Sequence, residues 1–190
     1  MSQFELVEKA EHLMREGSFD KAENLLSEIL SEEPDNLRAI CDIGIVFTES
    51  GKNEKAVKAL NHYIKKDKTN PYAWEALGCA EFRRGNIRNA EKFIIKSIKI
   101  KPDNPSSIRN LGIIFGIQGI FKKSLALLRR SVRLNPQDYR TLYALNYAFK
   151  DMRLREERKK ILERLLELEA PQEISSEAAV SLIKMDLGWE

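Results

Sequence analysis

PYAWEALGCAEFRRGNIRNAEKFIIKSIKIKPDN, residues 71–104, reads as two amphipathic helices joined by a glycine turn. On the first helix Trp74, Leu77, Gly78 and Phe82 recur at helical spacing, and after Gly85-Asn86 a second face collects Ile87, Ala90, Ile94 and Ile98. Gly85 can take the left-handed conformation that ends a helix, and Pro102 stops the second one. Gly78 and Ala90 are the small residues that let two helix axes come within about 8 to 10 Å, so they are expected to face each other.

Outward from this stretch the same landmarks return every 34 residues. Gly17, Gly51, Gly85 and Gly119 form one column, and Ala22, Ala56, Ala90 and Ser124 a second. Gly44, Gly78 and Gly112 form a third, and Pro34, Pro102 and Pro136 a fourth, with Lys68 at the missing place. Four hairpins follow, at 3–36, 37–70, 71–104 and 105–138, the first opened by the capping-box pair Ser2 and Glu5. A degenerate fifth, 139–172, keeps Leu142, Leu145, Phe149, Leu162 and Leu166. It places Asn146, Arg153 and Arg158 where Gly, Gly and Ala are expected, which predicts a splayed or shifted helix pair. Residues 173–190 predict a capping helix and tail, with Ser175 or Ser176 as N-cap, Val180, Leu182, Ile183 and Leu187 as its apolar content and Gly188 as its stop. A lone hairpin cannot bury its apolar face, so residues 1–172 are expected to stack into an all-α solenoid.

Unit 71–104 resembles the tetratricopeptide repeat (TPR) family, through Trp74, Leu77-Gly78, Gly85, Ala90 and Pro102. The other units follow with substitutions. The resemblance implies a right-handed superhelix of helix-turn-helix repeats and a non-catalytic scaffold or adaptor that binds protein. It also implies a concave side lined by the first helix of each hairpin. By helical phase, rows along that side read Phe4, Arg38, Tyr72, Ser106, Arg140; Val7, Cys41, Glu75, Arg109, Tyr143; Glu11, Ile45, Cys79, Ile113, Tyr147; and Arg15, Glu49, Arg83, Ile117, Asp151. The candidate peptide groove is Ile45, Phe82, Arg109, Asn110, Ile113, Ile117, Arg140, Tyr143 and Tyr147, for an extended peptide or an amphipathic helix. Two alternatives stand beside it: coverage of the patch by curvature or by the C-terminal helix, and self-association through the same surface. The tail Met185-Asp-Leu-Gly-Trp-Glu190 reads alternatively as a linear motif for such a groove. The carboxylate clamp by which some family members grip chaperone tails is poorly matched. Glu75 and Cys79 replace its Lys and Asn, Asn110 matches, Arg140 stands in for a Lys, and Ala144 replaces its Arg.

Composition narrows the classes further. The chain of 190 residues is 43% apolar and 32% charged, sufficient for a core. Its net charge of +3 hides an asymmetry: residues 1–36 hold three basic and ten acidic groups, and residues 105–138 six basic and one acidic. Lys122, Lys123, Arg129, Arg130 and Arg133 fall on an outer helix without interleaved aromatics, so a nucleic-acid or anionic-surface role is a minor alternative. His12 and His62 lie in different units without partners, and Cys41 and Cys79 have no metal or redox spacing. No enzyme activity, cofactor or metal is expected. No apolar run reaches the ~18 residues of a membrane span, and the opening MSQFELVEKAE lacks an export pattern, so a cytoplasmic location is expected.

Overall fold

The computed structural model describes residues 2–168 and 170–189, which form eleven α-helices and no strand. The chain divides into two compact units, one running through Pro102 and one from Asp103 onward.

The first unit holds α1 (Gln3–Arg15), α2 (Phe19–Glu32), α3 (Leu37–Glu49), α4 (Asn53–Lys66), α5 (Pro71–Arg83) and α6 (Ile87–Ile100). Each odd helix pairs antiparallel with the next, and α3 and α5 lie side by side. Two buried clusters, one around Val7, Leu26 and Val46 and one around Leu60, Trp74 and Leu77, share Leu30 and Phe47, so their core is continuous. The second unit holds α7 (Pro105–Ile117), α8 (Phe121–Leu134), α9 (Tyr139–Asp151), α10 (Arg155–Glu167) and α11 (Gln172–Asp186). Its clusters, around Leu128 and Phe149 and around Leu142, Leu165 and Met185, likewise share Val132 and Ile161.

Local chemistry sets the helix ends. Gly17, Gly51, Gly85 and Gly119 have φ of +73°, +73°, +81° and +75°, so the column exists because the turn needs a left-handed residue. In the fifth hairpin Arg153 takes that place at φ +56°. A second column, Asn36, Asn70, Asn104 and Asp138, caps the first helix of each hairpin after the initial one. Asn70 Oδ1 accepts from the Tyr72 amide at 2.9 Å, and Asp138 Oδ1 from the Arg140 amide at 3.2 Å. The Ser2–Glu5 capping box is reciprocal, with Ser2 N donating to Glu5 at 2.7 Å and Glu5 N to Ser2 Oγ at 3.3 Å.

Two expectations need revision. The glycine column approaches branched side chains first, although Gly78 also meets Ala90, whose carbonyl oxygen lies 3.3 Å from the position of a Cβ there. A Cβ on Gly44, Gly78 or Gly112 would fall 2.7, 2.7 or 2.9 Å from Leu60, Ile94 or Leu128. Ser124 instead faces Gly116, its Oγ 3.2 Å from the position of a Cβ there. In the fifth hairpin Asn146 and Arg158 are buried opposite each other, and Arg158 Nε donates to Asn146 Oδ1 at 2.8 Å. Finally, α11 starts behind Pro171, three residues before Ser175, and of its apolar residues only part faces inward, Leu182 packing on the core. Ala178, Ser181 and Met185 are buried, while Val180, Ile183 and Leu187 are exposed. Gly188 ends it at φ +74°, as its sequence position suggested.

Candidate functional site: first-helix surfaces and the α11 contact

Within the first unit, Ile45 on α3 and Phe82 on α5 are half-buried, and Ile45 packs on the Leu60–Trp74 core. The row formed by Phe4 and Arg38 is already internally paired. The Arg38 guanidinium sits 5.3 Å from the Phe4 ring centre and donates to Glu11 at 2.6 Å. Arg83 donates to the carbonyl of Thr48, tying α5 to α3. Asp42 on α3 is half-buried and its Oδ2 has no hydrogen-bond partner. Burial, reinforced by Glu11 and only partly offset by Arg38, pushes its carboxyl up to about 7. Cys41 is buried and its thiol is pushed up to about 12 by desolvation, so it is unreactive filler.

In the second unit the predicted residues divide into two groups. Asn110, Ile117, Arg140 and Tyr147 keep accessible surface, with Ile117 60% and Tyr147 42% exposed. Arg109 and Ile113 are largely taken up by the fold. Ile113 packs against Leu128 and Phe149. Arg109 is buried, and its guanidinium donates to Asp138 at 2.6 Å. Burial alone would raise the Asp138 carboxyl, but the Thr141 hydroxyl at 2.6 Å and the Arg109 charge outweigh it and hold it below the usual carboxylate range. The arginine therefore fastens α7 to the start of α9.

Tyr143 and Tyr147 stack edge to face with ring centres 5.2 Å apart, one turn from each other on α9. Both hydroxyls donate to Glu177 of α11, at 2.7 and 2.6 Å. These bonds hold the Glu177 carboxyl below its usual value, and the Tyr143 and Tyr147 hydroxyls titrate above theirs. The C-terminal helix thus covers one end of the predicted apolar row with a carboxylate. Beside it, α9, α10 and α11 line an open pocket of about 370 Å³, whose walls include Asn146, Arg158, Lys150 and Lys184. Sequence reasoning missed this pocket. Its signal was the pair of polar residues at two positions that are small in the other hairpins.

Of the tail, Met185 is buried and Trp189 is 73% exposed, while Glu190 lies outside the described residues. His12 is exposed beside Glu16, and among the described residues no three His, Cys, Asp or Glu side chains converge as a metal site. No helix among them is long and apolar enough to cross a membrane.

A tetratricopeptide-repeat family model matches residues 13–79, and a second one residues 71–104. Residues 13–104 of the chain are tetratricopeptide repeats. Solved structures extend the likeness beyond those matches. A thermophilic TPR protein of Thermus thermophilus superposes with a TM-score of 0.80 at 16% identity, over 96% of this chain and 100% of that one. MamA from Desulfovibrio magneticus RS-1 gives 0.68 at 16% identity, over 89% of this chain and 96% of that one. YrrB, described as a TPR protein with an unusual peptide-binding site, gives 0.64 at 12% identity, over 92% and 90%. At such identities the shared property is the fold, an all-α solenoid of helix-turn-helix repeats. None of the curated proteins matches the sequence significantly. TPR folds serve generally as non-catalytic protein-interaction scaffolds, and this chain has the same architecture.

Proposed function

We propose that the protein is a scaffold or adaptor that captures a partner polypeptide on the first helices of its hairpins. The observation that carries this reading is the exposure of Ile117 and Tyr147 beside Asn110 and Arg140, on α7 and α9 of one unit. Apolar anchors flanked by hydrogen-bonding and charged groups suit an extended peptide or one face of an amphipathic helix. Arg109 and Ile113 hold this surface in place, and Tyr143 reaches it through its contact with Tyr147. Ile45 and Phe82 offer a smaller apolar surface in the first unit.

Affinity capture comparing wild type with Ile117→Glu and Tyr147→Ala tests the reading. Both positions are exposed, so helicity is retained. The same proteins should be lost from both variants, and unchanged capture by both would reject the groove. Ile113→Glu is unsuitable, because that side chain packs in the core.

Self-association is the second reading, favoured by the exposed stripe Val180, Ile183, Leu187 and Trp189 on and after α11. Sedimentation at two concentrations, with Ile183→Lys as comparison, separates the two: a concentration-dependent dimer abolished by that change supports self-association.

A further inference from the structure

We propose that the fourth hairpin docks on an anionic lipid surface, through the outer face of α8 and the apolar tip that precedes it. Residues 117–137 hold five basic groups and no acidic one, whereas α2, α4, α6 and α10 each carry at least one carboxylate. Ser124, Leu125, Leu128 and Ser131 turn one face of α8 into the core. The opposite face is exposed: Lys122, Ala126, Arg129 and Arg133 recur at helical spacing in one stripe, with Lys123 and Leu134 in the next. The first stripe runs for three turns, about 16 Å. Its one uncharged member is Ala126, so nothing bulky stands between the cations and a flat surface. Lys123 and Arg129 lie 5.6 and 5.5 Å over the rings of Phe115 and Phe149. Neither these two side chains nor those of Lys122 and Arg133 form an ion pair among the described residues, so four charges stay without an internal counter-charge.

The tip supplies the second observation. Ile120 and Phe121, each 38% exposed, sit in the turn and first position of α8, directly before Lys122. The period of 34 puts Ser18, Lys52 and Asn86 where Ile120 stands, so a solvated turn position has here become apolar. Leu134, 43% exposed, lies at the other end of the helix. Apolar side chains at both ends of a basic face suit the boundary of a bilayer, where cations meet anionic headgroups and apolar groups leave water. A nucleic acid fits less well. The exposed side chains of α8 include no amide or hydroxyl to read a base edge, and no aromatic lies between the cations for stacking. The apolar ends would have no partner on a phosphate backbone. Because α8 is the second helix of its hairpin, this face is separate from the first-helix surface of Asn110 and Arg140. Each cation near an anionic bilayer contributes about fivefold in affinity, which makes four of them sufficient for reversible peripheral binding.

Co-sedimentation of the full chain with lipid vesicles tests the assignment. Vesicles of phosphatidylserine and phosphatidylcholine in equal parts should bind the protein at low salt, and vesicles of phosphatidylcholine alone should not. Binding should weaken as salt rises. Lys122→Glu/Lys123→Glu and Arg129→Glu/Arg133→Glu should each weaken it by more than about tenfold, and Ile120→Ser by about threefold or more. These positions are exposed, so circular dichroism should show unchanged helicity in every variant. Lys9→Glu/Lys21→Glu makes the same change of net charge at exposed positions of the first unit and should alter binding by less than about twofold. An equal loss from that control pair would mean that overall charge, and not this face, attracts the lipid, and overturns the proposal. Absence of binding to the acidic vesicles at low salt overturns it as well. A duplex oligonucleotide and polyglutamate are titrated in parallel, and tighter binding of either than of the vesicles assigns the face to that class instead. Tyr147→Ala should leave vesicle binding unchanged, so failure of the groove reading is distinguishable from failure of this one.

Discussion

Gly78→Ala adds one methyl group at the tightest point of the third hairpin. The new Cβ would lie 2.7 Å from Cδ1 and 2.8 Å from Cγ1 of Ile94, and 3.3 Å from the carbonyl oxygen of Ala90. Ile94 is 1% exposed and β-branched, so it has little freedom to move aside. Overpacking of this kind costs about 1 to 3 kcal/mol, whereas replacing glycine by alanine inside a helix contributes about 1 kcal/mol of stability. The variant should therefore lose up to about 2 kcal/mol, the difference between those two effects. Ile94→Ala alone should lose about 2 to 5 kcal/mol through the cavity it leaves. In that background both offending carbon atoms are gone, and Gly78→Ala should become stabilising by about 1 kcal/mol. The change of sign is the diagnostic result. Urea unfolding of the four proteins followed by circular dichroism gives the coupling energy, provided the m-value is unchanged. Stacked repeats can also unfold piecewise, so amide exchange on α5 and α6 locates the effect. An equal effect of Gly78→Ala in both backgrounds would refute the packing explanation of the glycine column.

Four other outcomes follow from particular residues. Arg153→Gly removes a side chain from a φ of +56° and should raise stability by about 1 kcal/mol or less, measured by thermal unfolding. Asp42 has a folded-state carboxyl raised from 3.8 to about 7, so the native chain binds the extra proton. Its contribution to stability is present at low pH and falls as pH rises through that window, and Asp42→Asn should flatten the decline in the urea midpoint. Arg109→Ala leaves Asp138 without its cationic partner in a largely buried site and should cost about 3 to 5 kcal/mol. Lys52→Ala, which breaks the exposed pair with Glu23, should cost about 1 kcal/mol or less in the same assay.

The hairpins were legible because backbone geometry restricts residue choice at a few points. A left-handed turn residue and a close helix crossing both select glycine, and the spacing of those glycines carried the repeat. The caps Asn36, Asn70, Asn104 and Asp138 obey the same spacing and were equally readable. The C-terminal helix was harder. Its apolar residues occupy more than one face, and what selects the inward face is the cluster of Leu142, Leu162 and Leu165 on α9 and α10, not the helix itself. Placing its start at Ser175 rather than behind Pro171 also left Glu177 in the first turn, where nothing marked it as the group that caps two tyrosines.

Side chains of neighbouring hairpins meet at a nearly constant offset. Lys52 reaches Glu23, Lys101 reaches Tyr72 and Arg109 reaches Asp138, each across 29 residues. Arg38 meets Glu11 across 27. A repeat of 34 residues brings the next hairpin into register, and a long side chain spans the remaining step of about one helical turn. The offset explains why helical phase alone does not reveal that Arg109 is buried against Asp138. Phase correctly places it on the first-helix surface, but the offset pairs it with the acidic N-cap of the following hairpin and removes its charge from solvent. Arg140 lies in the adjacent row, on the first helix of that following hairpin, and stays exposed with its guanidinium 5.8 Å from the Tyr139 ring. A cation on such a surface can therefore be taken up by a group 27 to 29 places away, as Arg38 is by Glu11 and Arg109 by Asp138.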